Sequence, residues 1–174
     1  LRGIEDAFRD SSSGNPAERE VLDSILDEIR QSDLRGKVML ISITGQDELA
    51  SFYRYCAKLS SVFALVSLYE PFGLAPIEAM SAGLVAVATK NGGPASIMRK
   101  GSKRFGVLVD PEDPDSIASG VLAAIAKYDV LRKEGRKRVI EDYTWQNTAE
   151  KYLYGFSMAI TRGRKPIGIP RIFL

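Results

Sequence analysis

Four short segments of this sequence are apolar on both faces rather than on every second residue: 37–43 (KVMLISI), 62–67 (VFALVS), 84–89 (LVAVAT) and 105–109 (FGVLV). A half-exposed strand alternates; a strand that does not alternate must be covered on both sides. Helical segments are expected after each of them, over 47–58, 76–82, 95–99 and 115–126. Continuously apolar strands that alternate with helices predict an α/β chain: a Rossmann-like parallel sheet with helices on both faces. In such a sheet ligands sit beyond the carboxyl ends of the strands. The turns that leave those ends are therefore the place to look for chemistry.

The remainder fills in around this pattern. Residues 1–3 read as the end of a strand whose beginning is missing, and 10–16 (DSSSGNP) as a loop. A helix over 17–32 carries Val21, Ile25, Leu26 and Ile29 on one stripe. Gly83 ends the short helix before the third run. Further helices are expected over 130–143 and 144–160. Residues 1–160 are read as one domain and 161–174, with Pro166, Gly168 and Pro170, as an irregular tail.

Composition removes whole classes of function. Among 174 residues, 24 Lys and Arg stand against 22 Asp and Glu, a net charge of +2. That balance gives no field suited to nucleic acid or an anionic membrane, so neither is expected as a partner. A local basic excess (Arg162, Arg164, Lys165, Arg171) is confined to the tail. The chain has no histidine, which excludes a Ser-His-Asp triad, a Cys-His pair and a histidine-based zinc site within it. Its single cysteine, Cys56, cannot form an internal disulfide and reads as a small core residue. No apolar run reaches the ~18 residues of a membrane span and no signal segment opens the chain, so a cytoplasmic protein is expected.

The informative stretch is 67–80, SLYEPFGLAPIEAM. It leaves a buried strand and opens a helix, so unpaired amides and the positive end of the helix dipole face the strand end. A phosphate or diphosphate suits that environment. Gly73 lets a ligand approach the backbone, and Pro76 fits a first turn that needs no N–H from it. Glu70 and Glu78, eight residues apart, flank the amides. Two carboxylates around an anion site suit a molecule with phosphates in its middle and sugar rings at its ends. The plainer alternatives are a Glu78 that only complements the helix dipole and a Glu70 that is solvated.

Glu70-Pro71-Phe72-Gly73-Leu74 with Glu78 resembles the E-x7-E signature of retaining glycosyltransferases of GT-B architecture, the family of sucrose-phosphate synthase, sucrose synthase and many mannosyl- and glucosyltransferases. The resemblance continues through 79–83 (AMSAG), 88–94 (ATKNGGP), 106–111 (GVLVDP) and 143–145 (YTW), covering about 38–154. It implies the C-terminal, donor-binding domain of such an enzyme, incomplete at its N-terminus. It implies Glu70 against the donor sugar near the reacting carbon, and the amides of Phe72, Gly73 and Leu74 on donor hydroxyls and diphosphate. Glu78 would take the nucleotide ribose, and the backbone around Ser42 to Thr44 the base. The donor is expected to be a nucleotide-diphospho-sugar, UDP-glucose, and the acceptor a sugar phosphate. No metal and no cofactor are implied, the nucleotide sugar being a substrate. Acceptor binding falls to a missing N-terminal domain.

The sequence also departs from the family pattern. The basic pair that clamps the diphosphate lies upstream in relatives, and Arg2 does not match it. Ser96 stands where relatives carry Asp or Glu. Two rival readings are a GDP-mannose-dependent transferase of the same family and a non-catalytic Rossmann-like binding or assembly module.

Four further features have plain readings. Gly92-Gly93 is a sharp turn or a ligand-approach turn. Lys90 is a solvated loop lysine and Trp145 a packing anchor for the last helix. Residues 110–115 (DPEDPD) are loop-to-helix punctuation rather than a calcium site.

Overall fold

The computed structural model describes residues 16–39 and 41–161. The chain divides after Gly45 into two compact units. The strand remnant at 1–3, most of the loop at 10–16 and the tail beyond 161 lie outside the described residues.

The first unit contains helix α1 (Pro16–Gln31), tied by an Arg30–Asp27 ion pair at 3.0 Å, with Ile29 as its buried residue. The strand expected over 37–43 is not formed: among the described residues of 37–45 none pairs in a ladder, and Val38, Met39 and Ile41 are exposed. Apolar side chains alone do not make a strand. The cross-strand pair is the unit that stabilises one, and the described residues of this unit offer no neighbouring strand.

The second unit runs in the order α2 (Gln46–Lys58), β1 (Val62–Leu65), α3 (Leu74–Ser81), β2 (Val85–Thr89), α4 (Gly93–Ile97), β3 (Arg99–Lys100), β4 (Lys103–Arg104), β5 (Val107–Val109), α5 (Pro114–Ala126), α6 (Tyr128–Asp142) and α7 (Trp145–Thr161). Strands β1, β2 and β5 form one parallel sheet with β2 in the middle; Val62 lies opposite Val85, and Val87 opposite Val107. β3 and β4 form a separate antiparallel hairpin turned at Gly101, in place of the helix end expected at Arg99.

Every residue of β2 is buried, because each of its faces has its own helices. Ala86 and Ala88 pack with Met80 of α3, Ile97 of α4, Phe105 and Val139 of α6. Val85 and Val87 pack with Val109, with Ala124 of α5 and with Leu131 at the start of α6. This is the doubly covered parallel sheet that the unalternating apolar runs predict. Burying one Val fully is worth about 1.5–3 kcal/mol, and a one-residue slip would exchange the small and large faces of β2, so its register is strongly fixed. Cys56 packs half-buried beside Ala57, Ala79 and Leu84.

Local signals set the element ends. Gly83 (φ 93°) closes α3 in a Schellman motif, with Gly83 N–H donating to Met80 O at 3.1 Å and Leu84 N–H to Ala79 O at 3.0 Å. Asp113 caps α5, its carboxylate accepting from the Asp115 amide at 3.0 Å ahead of Pro114, so the acidic run is helix punctuation. Trp145 is not a packing anchor: it is 90% exposed. Hydrogen bonds do that work instead. Thr144 Oγ1 accepts from the Asn147 amide at 3.2 Å, and the Asn147 side chain donates to Glu141 O at 2.6 Å. No helix among the described residues is long and apolar enough to cross a membrane.

Candidate functional site at the carboxyl ends of the strands

Three turns leave the carboxyl ends of β1, β2 and β5, and the first two are laced together. The Glu70 amide donates to Asn91 O at 3.2 Å and the Gly93 amide to Glu70 O at 2.8 Å, a parallel bridge between Glu70 and Gly92. Asn91 adds a side-chain bond, Nδ2 to Leu68 O at 2.9 Å, and its own amide donates to Thr89 Oγ1 at 3.2 Å. A Cβ at Gly92 would stand 2.1 Å from Glu70 O, and one at Gly93 would stand 2.3 Å from Phe72 O. Side chains at either position would force the turns apart. The glycine pair therefore serves the approach of one turn to the other.

Glu70 is half-buried, and its carboxylate faces its own turn. Oε1 accepts from the Phe72 amide at 3.2 Å and from the Gly73 amide at 2.9 Å. Gly73 sits in the left-handed region (φ 83°) as the N-cap of α3, where it offers no side-chain cap. Pro76 has no N–H to satisfy, and Leu74 begins the helix with its side chain exposed. The structure thus brings Glu70, Phe72, Gly73 and Leu74 together as an amide-rich turn, and in this state the turn already holds one anion, the carboxylate of Glu70.

Glu78 lies one turn into α3 and is exposed. It lines a groove of about 550 Å³ with Asp47, Tyr53 and Arg54 of α2, Ser81, and Arg136 of α6, and Glu70 is not among the lining residues. The phenol of Tyr53 packs edge-on to Phe63 at 5.6 Å between ring centres. Burial pushes its pKa up, and the neighbouring Glu78 charge adds to that. Ser42 and Thr44 are exposed residues of the first unit, outside any regular element.

Beside the amide turn, Lys90 is paired rather than simply solvated. Its Nζ meets Asp110 Oδ2 at 2.6 Å, linking the turn after β2 to the turn after β5. That hydrogen bond is the first cause that holds the Asp110 carboxyl below the usual aspartate range; a bond from the Glu112 amide adds to it. Ser96 Oγ donates to Gly93 O at 2.9 Å. Among the described residues no three acids or thiols gather in a metal-binding group.

Sequence reasoning found the amide turn but missed Asn91, Tyr53 and Arg136. Asn91 and Arg136 reach their neighbours across long stretches of chain, and no local pattern marks that.

The chain matches the family described as glycosyl transferases group 1 over residues 14–142. It is 42% identical over 119 residues to a probable sucrose-phosphate synthase of Thermosipho melanesiensis, covering 68% of this chain and 27% of that protein. It is 37% identical over 155 residues to sucrose-phosphate synthase of Zea mays, covering 88% of this chain and 14% of that protein. Among solved structures, sucrose-phosphate synthase from Thermosynechococcus elongatus matches with a TM-score of 0.63 and 27% identity, over 83% of this chain and 37% of that one. The catalytic domain of starch synthase IV from Arabidopsis thaliana, bound to ADP and acarbose, shares the fold with a TM-score of 0.59 at 19% identity, over 86% of this chain and 31% of that one. This chain therefore spans a minor part of the length of each of these proteins. Since the family match runs through both the sheet and the turn that carries Glu70, the chain belongs to the group 1 glycosyl transferases and shares the fold of a GT-B domain with its structural neighbours.

Proposed function

We propose that this chain is the donor-binding part of a retaining hexosyltransferase of the sucrose-phosphate synthase type. It binds UDP-glucose, and the glucosyl group passes to a sugar phosphate such as fructose 6-phosphate. The carrying observation is the turn after β1, which places at least two backbone amides and the start of α3 at the carboxyl end of the sheet and holds a carboxylate there. A site that accepts a carboxylate on two amides has the polarity for a donor's hydroxyl and phosphate oxygens. The likeness to sucrose-phosphate synthases supports this choice of donor and acceptor.

In this reading the donor sugar lies against Glu70, the amides of Phe72, Gly73 and Leu74 hold its hydroxyls and diphosphate, and Glu78 grips the ribose from the groove. Transfer breaks the bond from the anomeric carbon to the phosphate oxygen and forms one to the acceptor oxygen on the same face. The acceptor's proton leaves with the diphosphate. Amides aimed at the departing diphosphate stabilise the charge that develops on it, and fixed donor geometry supplies the rest of the rate. The acceptor is held by a further domain, in keeping with the greater length of the relatives.

Calorimetry on the intact protein with UDP, GDP and ADP tests the donor, and transfer from labelled UDP-glucose to fructose 6-phosphate tests the reaction. UDP is expected to bind most tightly. If GDP binds more than about tenfold tighter, a difference of about 1.4 kcal/mol, the donor assignment is wrong.

A further inference from the structure

We propose that Asn91 is a positioning residue for Glu70, an assignment that rests on reading Glu70 as the acid beside the donor sugar. Asn91 follows the central strand by two residues, and it makes three hydrogen bonds of different kinds. Its amide donates to Thr89 Oγ1 at 3.2 Å, which ties it to a fully buried residue at the end of β2. Its backbone carbonyl accepts from the Glu70 amide at 3.2 Å. Its side-chain Nδ2 donates to Leu68 O at 2.9 Å, 23 residues back along the chain. One residue, itself fixed to the rigid middle of the sheet, therefore holds the β1 turn on both sides of Tyr69.

The consequence falls on Glu70. With its N–H on Asn91 O and its C=O accepting from the Gly93 amide at 2.8 Å, the Glu70 backbone is fixed at both ends. What remains free is the side chain. Its carboxylate swings from a pivot whose place Asn91 sets, between the amides of Phe72 and Gly73 and whatever sugar lies beyond them. An Asn in a turn ordinarily bonds its own backbone a residue or two away. Here a whole helix and strand separate donor from acceptor, so the bond does more than shape its own turn.

The side-chain bond also has a definite polarity. Leu68 O is an acceptor, and only an amide or another donor can meet it. Asp has nearly the same shape and keeps all the backbone bonds, but it turns an oxygen toward that carbonyl. Removing the bond therefore leaves the backbone bonds of the crossing turns in place while it loosens the Leu68 side of the β1 turn that leads into Glu70.

The test uses Asn91→Asp and Asn91→Ser in the intact enzyme, with four readouts: transfer kinetics, UDP affinity by calorimetry, thermal unfolding, and amide hydrogen exchange over residues 68–73. Misplacement of a reacting group by about 1 Å costs on the order of a hundredfold, so kcat in Asn91→Asp is expected to fall by roughly ten- to a hundredfold. Asn91→Ser, which keeps a short donor, falls less. UDP, whose ribose Glu78 also grips, is expected to lose much less affinity than kcat falls, with exchange at the Glu70 and Gly73 amides faster. A kcat within about twofold of wild type overturns the proposal. So does UDP affinity that falls in step with kcat, the mark of general disruption. If the wild-type protein transfers sugar to no acceptor, the functional reading fails instead. The exchange rates still decide the clamp then: unchanged exchange over 68–73 in Asn91→Asp overturns it.

Discussion

A Cβ on Gly92 would lie 2.1 Å from the carbonyl oxygen of Glu70, closer than any real contact, because the two turns cross there with backbone against backbone. Gly92 also has φ 98° and ψ −144°, a conformation that side chains avoid. Gly92→Ala is thus expected to destabilise the protein by about 2–5 kcal/mol, strain and overpacking together, and to displace Glu70. Gly101 supplies the control. It too has positive φ (59°), but nothing lies within 4 Å of its Cβ position, so Gly101→Ala is expected to cost about 1 kcal/mol. Denaturant unfolding of both variants checks this; equal losses would contradict it.

Glu70→Ala is expected to lower transfer by at least about a hundredfold, with the loss in kcat. The resting carboxylate occupies the Phe72 and Gly73 amides, so removing it opens those donors, and nucleotide affinity is expected to hold or rise. Glu78→Ala is expected to do the reverse, weakening UDP binding with a smaller effect on turnover, because Glu78 faces the α2 groove. Steady-state kinetics paired with calorimetry separates the two. Wild-type kinetics in both variants would refute the assignment.

The sheet was legible because its strands lack alternation: Val85, Ala86, Val87 and Ala88 admit only a position covered on both faces. The β3–β4 hairpin was not, since Arg99, Lys100, Lys103 and Arg104 are charged and exposed and give no period to read. Residues 37–43 show the converse failure. They have strand composition, but composition cannot supply a partner ladder. The amide turn was legible from Gly73, Pro76 and its place between strand and helix. That Glu70 would cap its own turn depends on side-chain torsions, which spacing does not encode. Nor does spacing show that Asn91 meets Leu68, or that Lys90 meets Asp110, since both pairings depend on the packing of turns from different strands.

Lys90 and Asp110 make stability depend on pH in one direction. Hydrogen bonding to Lys90 lowers the Asp110 pKa in the folded chain, so the folded state favours the ionised carboxylate. The contribution is complete above the unfolded aspartate value and is lost as pH falls through the lower folded value, below about pH 4. The pair is partly exposed, so the effect is small and screened by salt. Lys90→Met is expected to raise the Asp110 pKa toward the ordinary range, read by NMR titration of its carboxyl carbon. An unmoved titration would show that the pair does not persist in solution.

Arg138 poses the sharpest test of how the far end of α4 is held. It is 8% exposed, and its guanidinium lies 5.2 Å from the ring centres of both Phe105 and Tyr143. Its nitrogens donate to Ile97 O at 3.4 Å, to Tyr143 Oη at 3.2 Å and to the Asp142 carboxylate. A planar, delocalised cation can stack on two rings while its edge donates in several directions, and an ammonium cannot. Arg138→Met keeps much of the volume and stem but strands the Ile97 carbonyl and leaves Asp142 to Lys100, 3.6 Å away. Asp142 is partly exposed and keeps that second partner, so the loss falls below the 3–5 kcal/mol typical of a broken buried pair; about 2–3 kcal/mol is expected. Arg138→Lys keeps the charge and is still expected to lose about 1–2 kcal/mol, because it gives up the stacking and all but one of the bonds. If Arg138→Lys unfolds at the wild-type denaturant midpoint, charge alone is what the site needs and the stacked, many-bonded guanidinium contributes nothing.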